Sequence, residues 1–192
     1  TGSFVDEGTL HFFTQDAFGN FINVSETPLF VGDEPGELES GDFNFDGAAD
    51  IALVTSSSMR IVELMPSNQG VSAVISNFPV TDMPNGKLQR PIALRTGDLN
   101  ANGRSDLVVL AEGSFPTLSV FLQNTTTNQI SEAPFSPVQL SQLQSASDIA
   151  IGDVTGDGRD DIVICGERMV LAFIQQSNGS INFSNPVTVV ND

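Results

Sequence analysis

The sequence predicts an all-β protein built from β-propeller blades, each a sheet of four antiparallel strands, with about three and a half blades in the chain. Three observations carry this. An acidic, glycine-containing motif recurs at residues 41–51, 97–107 and 152–162, with Asp98 following Asp42 by 56 residues and Asp153 following Asp98 by 55. Each copy runs into two short apolar stretches of strand length. No segment shows a sustained helical period. A single four-stranded unit of this size cannot bury both of its faces, so such units stack on their neighbours.

The units divide the chain in order. Residues 1–36 read as the back half of a blade plus a connection, with Leu10-His11-Phe12-Phe13-Thr14-Gln15 as a third strand and Phe18-Gly19-Asn20-Phe21 as a turn entering a fourth. Residues 37–91 form the first full blade. In it Ile51-Ala52-Leu53-Val54 is the second strand, Ile61-Val62-Glu63-Leu64 the third, Ser67-Asn68-Gln69-Gly70 a turn and Val71 to Ile75 the fourth. Residues 92–146 form the second blade around Leu107-Val108-Val109-Leu110 and Leu118-Ser119-Val120-Phe121. Residues 147–192 form the third, from Ile149-Ala150-Ile151 through Ile162-Val163-Ile164-Cys165 and Val170-Leu171-Ala172-Phe173 to a fourth strand at Ile181 to Phe183. Length, β-branching and flanking Gly, Asp or Asn make these strands rather than helix segments. The unmatched half-blade implies a segment of a larger propeller, or assembly with other copies or chains. Met83-Pro84-Asn85-Gly86 and Pro134-Phe135-Ser136-Pro137 mark connections between blades. These share the side opposite the acidic loops, where a binding surface is expected.

Composition narrows the function classes. Twenty-four acidic residues against 7 Lys and Arg leave a net charge of −17, a field that repels nucleic-acid backbones and anionic membrane surfaces. No apolar run reaches membrane-spanning length. The start, Thr1-Gly2-Ser3-Phe4, carries no leader pattern, so a signal peptide is expected to be absent or already removed. The lone Cys165 excludes an internal disulfide and reads as a small core residue at the end of a buried strand.

The acidic loops read as metal sites. Counting each from its first aspartate, oxygen side chains fall at positions 1, 3, 5 and 9: Asp42, Asn44, Asp46 and Asp50; Asp98, Asn100, Asn102 and Asp106; Asp153, Thr155, Asp157 and Asp161. Gly47, Gly103 and Gly158 at position 6 allow the sharp turn, and the carbonyls of Ala48, Arg104 and Arg159 at position 7 add an oxygen. Hard oxygen donors without His or Cys suit Ca²⁺, with up to three ions. An EF-hand is excluded, because its bidentate acid at position 12 is replaced by Leu53, Val109 and Ile164. Asp at position 9 is therefore expected to close each site. The second loop, with two carboxylates against three, is expected to bind weakest. The ion would neutralise crowded carboxylates and pin the turn between first and second strands.

These loops resemble the FG-GAP/VCBS repeats of the integrin α-subunit propeller and of many secreted microbial proteins. The resemblance covers nearly the whole chain and rests on the calcium loop. Only Phe18-Gly19 is suggestive of the name-giving pieces, and Asn102 and Thr155 stand where integrin-like loops often carry Asp, which favours the broader microbial repeat. The resemblance implies a propeller, Ca²⁺ along one face, an extracellular or cell-surface setting, and adhesion or ligand binding on the opposite face.

No catalytic constellation is visible, so the chain is expected not to be an enzyme. His11, the single histidine, reads as a strand-face residue. The acidic cluster Asp33, Glu34, Glu37 and Glu39 reads as a solvated connection, or as a contact for a cation or basic partner. The expected function is an extracellular, calcium-stabilised module contacting another protein or another copy of itself. The alternatives are a carbohydrate-binding propeller, disfavoured by the absence of Trp and Tyr, and an accessory domain of a secreted polysaccharide-degrading enzyme.

Overall fold

The computed structural model describes residues 7–24, 29–56, 58–67, 70–79, 90–113 and 115–190. Among these the chain is all antiparallel β-structure. The first unit comprises β1 (Glu7–Leu10), β2 (Phe13–Gln15), β3 (Phe21–Asn23) and β4 (Leu29–Asp33). β1 pairs with β4 and β2 with β3, and Val24 N–H donates to Phe12 O between them. The unit is thus one long hairpin, each arm broken once. At its tip the Asp16 carboxylate accepts the Phe18 and Asn20 N–H groups, an Asx turn. The expected strand from Leu10 to Gln15 is interrupted where the pairing changes from β4 to β3. His11 falls in that break and is exposed, not on a strand face.

The first full blade orders β5 (Leu38–Gly41), β6 (Asp50–Val54), β7 (Ser58–Ser67) and β8 (Gly70–Pro79) side by side. Asn68 and Gln69 of its expected turn, like residues 83–86, lie outside the described residues. The second blade orders β9 (Arg90–Gly97), β10 (Asp106–Glu112), β11 (Thr117–Gln123) and β12 (Ile130–Glu132), with β13 (Val138–Gln139) also pairing with β11. The third orders β14 (Ala146–Gly152), β15 (Asp161–Gly166), β16 (Met169–Phe173) and β17 (Val187–Val190).

The fourth strand of the third blade departs from expectation. Ile181 makes only a single bridge to Gln175, and Asn182 folds the chain over by accepting the Ser184 N–H. The paired strand is β17. Phe183 turns inward against Phe173 and Phe135 instead. In the second blade the outer edge is made in two pieces against β11, and in the third by β17 along β16 with the Ile181 bridge beyond its end.

Strand alternation distributes the core into three layers between sheets. On β6, Leu53 faces back and joins Val62 and Val31 of β4. Ala52 and Val54 face forward with Met59 and Ile61, meeting Leu94, Leu107, Val109 and Phe121 of the second blade. Val108, Leu110, Leu118 and Val120 face forward in turn, onto Ile149, Ile162, Ile164, Leu171 and Phe173 of the third. On the third blade the forward positions hold Ala150, Val163, Cys165, Val170, Ala172, Val187 and Val189. Val187 is 55% exposed and Val189 60%. Cys165, expected in the core, is exposed because it lies on this face, which no described element covers.

Candidate metal centre

Each acidic loop joins the first strand of a blade to the second, and the same pair of residues closes each one. Gly41 faces Asp50, Gly97 faces Asp106 and Gly152 faces Asp161 across the ladder. The loops therefore stand at equivalent corners of three stacked sheets.

Inside each loop the position-1 aspartate holds the turn together. Asp42 accepts N–H bonds from Asp46 (3.0 Å) and Gly47 (2.9 Å). Asp98 accepts them from Asn102 (3.0 Å) and Gly103 (2.7 Å), and Asp153 from Asp157 (3.0 Å) and Gly158 (2.7 Å). Position 5 repeats the device, with Asp46, Asn102 and Asp157 accepting the N–H of Ala48, Arg104 and Arg159. Asn44 accepts the Asp46 N–H, while Thr155 lies 3.5 Å from Asp153. These bonds are possible because the backbone is left-handed twice, at the expected position-6 glycine and also at position 4, which is Phe45, Ala101 and Gly156. Sequence reading missed position 4. Its one signal was Gly156, which made the third loop alone glycine-rich.

The position-9 aspartates are fully buried, with 0% exposure. Each carboxylate reaches two backbone amides, that of position 2 and one on or just beyond the third strand. Asp50 accepts from Phe43 and Leu64, Asp106 from Leu99 and Gln123, and Asp161 from Val154 and Gln175. Position 9, read from the sequence as the group closing a metal site, thus acts in the structure as a staple between loop and third strand. Among the described residues no three acidic, imidazole or thiol side chains converge as a metal cluster.

Burial and these bonds set the protonation. Burial pushes Asp106 up to about 7 against the opposing pull of the Gln123 and Leu99 amides. Burial likewise raises Asp50. Asp153 is held below the usual carboxylate range, first by the Gly158 N–H and then by the other loop amides.

The loops nonetheless retain donors that suit a hard cation. Asn100 Oδ1, at position 3 of the second loop, is buried without a hydrogen-bond partner. A carboxylate oxygen that accepts one amide keeps a second lone pair. Two arginines at position 7 differ. Arg104 lays its guanidinium over the Phe45 ring, while Arg159 pairs with Asp157 and donates to Gln175 O. That ion pair puts a positive charge into the third loop, and sequence reading did not register it.

The acidic cluster is placed differently from expectation. Glu37 and Glu39 both pair with Arg95 of the second blade, which also bonds Asp148 of the third at 2.8 Å. The basic contact for this cluster is thus within the chain. Glu34 is exposed.

Comparison with known proteins agrees with the geometry. Residues 98–164 match the FG-GAP-like repeat, a segment that holds the second and third loops entire. No curated protein matches the chain. Among solved structures, the chain is similar to one in a crystal structure of BBS1N in complex with ARL6DN, soaked with lead. The TM-score is 0.54 at 14% sequence identity, over 97% of this chain and 56% of that one. At that identity the likeness concerns the fold alone, and the chain spans little more than half of its solved neighbour.

Proposed function

From a chain that carries an FG-GAP-like repeat, with the same loop at three successive blade corners, we propose a non-catalytic interaction module. Its blades are rigidified by Ca²⁺, and it works outside the cell or at its surface. The observation that carries this reading is the loop itself. It is closed by the same Gly–Asp pair three times over, carries oxygen side chains at positions 1, 3, 5 and 9, and in the second copy holds the buried, unpartnered Asn100 Oδ1. The residues that would hold the ion are those at positions 1, 3 and 5 with the position-7 carbonyls, while position 9 anchors the loop and keeps one lone pair per oxygen for the ion. Ca²⁺ would supply charge compensation. An extracellular setting is consistent with this reading, since calcium modules that work outside the cell fill at millimolar calcium, with Kd of about 10⁻⁴–10⁻³ M.

The partner part of the reading is supported by the forward face of the third blade. Its apolar side chains stand in the register that, on the two preceding blades, is covered by the next sheet. Burying a valine of this kind contributes about 1.5–3 kcal/mol. The contact fits a further blade, supplied either by the rest of a larger propeller or by another copy of the chain.

Thermal unfolding in EDTA and in millimolar Ca²⁺ tests the calcium reading. At ten times Kd each filled site adds about 1.4 kcal/mol, and each kcal/mol raises Tm by about 2–4 °C in a chain of this size. Asp42→Ala and Asp153→Ala should each remove part of the rise. An identical Tm in both solutions would reduce the loops to ordinary turns.

A further inference from the structure

The second loop is held in place from the third blade. Asp98, its first residue, donates its N–H to Asp160 Oδ2 at 2.9 Å, and its carbonyl accepts Gln175 Nε2 at 2.8 Å. Both backbone groups of the residue that organises this loop are therefore bound by a neighbouring sheet. Asp160 is position 8 of the third loop. Gln175, 1% exposed, is also the residue whose N–H holds Asp161. The two loops are thus joined through two side chains, each anchored in the third loop or on its staple.

The approach is close enough to be selective. A Cβ on Gly97 would lie 2.5 Å from Ile151 Cγ2 and 3.0 Å from Asp160 Oδ2, and one on Gly179 would lie 2.2 Å from Asn100 O. Glycine at these two positions lets the third blade touch the backbone on both sides of Asp98. The preceding corner is built otherwise. Ser105 occupies position 8 of the second loop, and Gln123, the counterpart of Gln175, gives its amide to Asn128 O of its own blade.

We infer that Asp160 and Gln175 are positioning residues for the second loop, and that cation occupancy of the third loop is coupled to that of the second but not to that of the first. This rests on the calcium reading above. An ion in the third loop fixes residues 153–161 and with them the acceptor that holds the Asp98 amide. The second loop, which has the fewest carboxylates, then binds in a turn already ordered. Coupling of this kind is reciprocal.

Calorimetric titration of the full chain with calcium chloride tests it, the signal of the second loop being identified by its loss in Asp98→Ala. Asp160→Ala should weaken that loop about tenfold, the effect of one hydrogen bond to a charged group. Asp160→Asn, which keeps an acceptor oxygen, should restore it, and this rescue separates positioning from a general loss of fold. Asp153→Ala should weaken the second loop by the same factor by which Asp98→Ala weakens the third, while Asp42→Ala leaves the second unchanged. Three independent sites, indifferent to Asp160→Ala and Asp153→Ala, would overturn the coupling and leave the calcium reading standing. A wild-type chain that takes up no calcium would overturn both.

Discussion

At the scale of single residues, the loops show how one residue type serves two purposes. The aspartates at positions 1 and 9 are equally constant along the repeat, yet the first wraps the turn and the second fastens it to a distant strand. Asp161→Ala, assayed by urea unfolding in chelator, should cost about 3 kcal/mol, because it leaves the buried Gln175 amide and the part-buried Val154 amide without an acceptor. Ala101 sits at φ 57, so Ala101→Gly should stabilise the metal-free chain by about 1 kcal/mol. The pH response of Asp106 has a definite sign. Its carboxyl is raised from 3.8 to about 7 by burial, so the folded state binds the extra proton between those values. Its contribution is fully present below about 4 and is lost as pH rises through about 7. In EDTA the wild type should gain stability on going from pH 7.5 to pH 5 by more than Asp106→Asn does. The oxygen positions and the position-6 turn were legible in the sequence. The staple was not, since its third-strand amide donors lie 14 or more residues away and become neighbours only once the sheet forms.

At the scale of elements, the second strands were the most legible, because β6, β10 and β15 read as apolar runs between polar turns, with both faces covered in β6 and β10 and one in β15. Outer strands were less so. The Ile181 to Phe183 segment alternates like a strand, but Phe183 finds its partners in Phe173 and Phe135, and the ladder is completed by β17. Short outer strands carry little pattern of their own, and tertiary contacts decide them. Blade-to-blade contact can be probed through Gly97. Gly97→Ala would force apart Ile151 and the loop, and should lower Tm with and without calcium through overpacking of about 1–3 kcal/mol.

At the scale of the whole molecule, the period of the acidic loops foretold stacked sheets, and the first unit is a hairpin whose Val31 packs on Leu53 and Val62 of the next sheet. Alternating register carries each sheet's forward side onto the next sheet, and Arg95 ties Glu37, Glu39 and Asp148 of the flanking blades together. That ionic tie was hidden in the sequence, where an acidic stretch far from its arginine looks like solvated surface. The same register leaves one apolar face open on the third blade. Sedimentation should show self-association of the wild type that the Val187→Glu, Val189→Glu double variant abolishes without change in Tm. Unaltered association would place the contact elsewhere.

Flow dialysis of the full chain against labelled calcium tests the central claim most directly. Three bound ions are predicted at saturation, two in Asp42→Ala and two in Asp153→Ala, with the second loop filling last. Absence of saturable uptake at millimolar calcium would contradict the reading of these loops as cation sites.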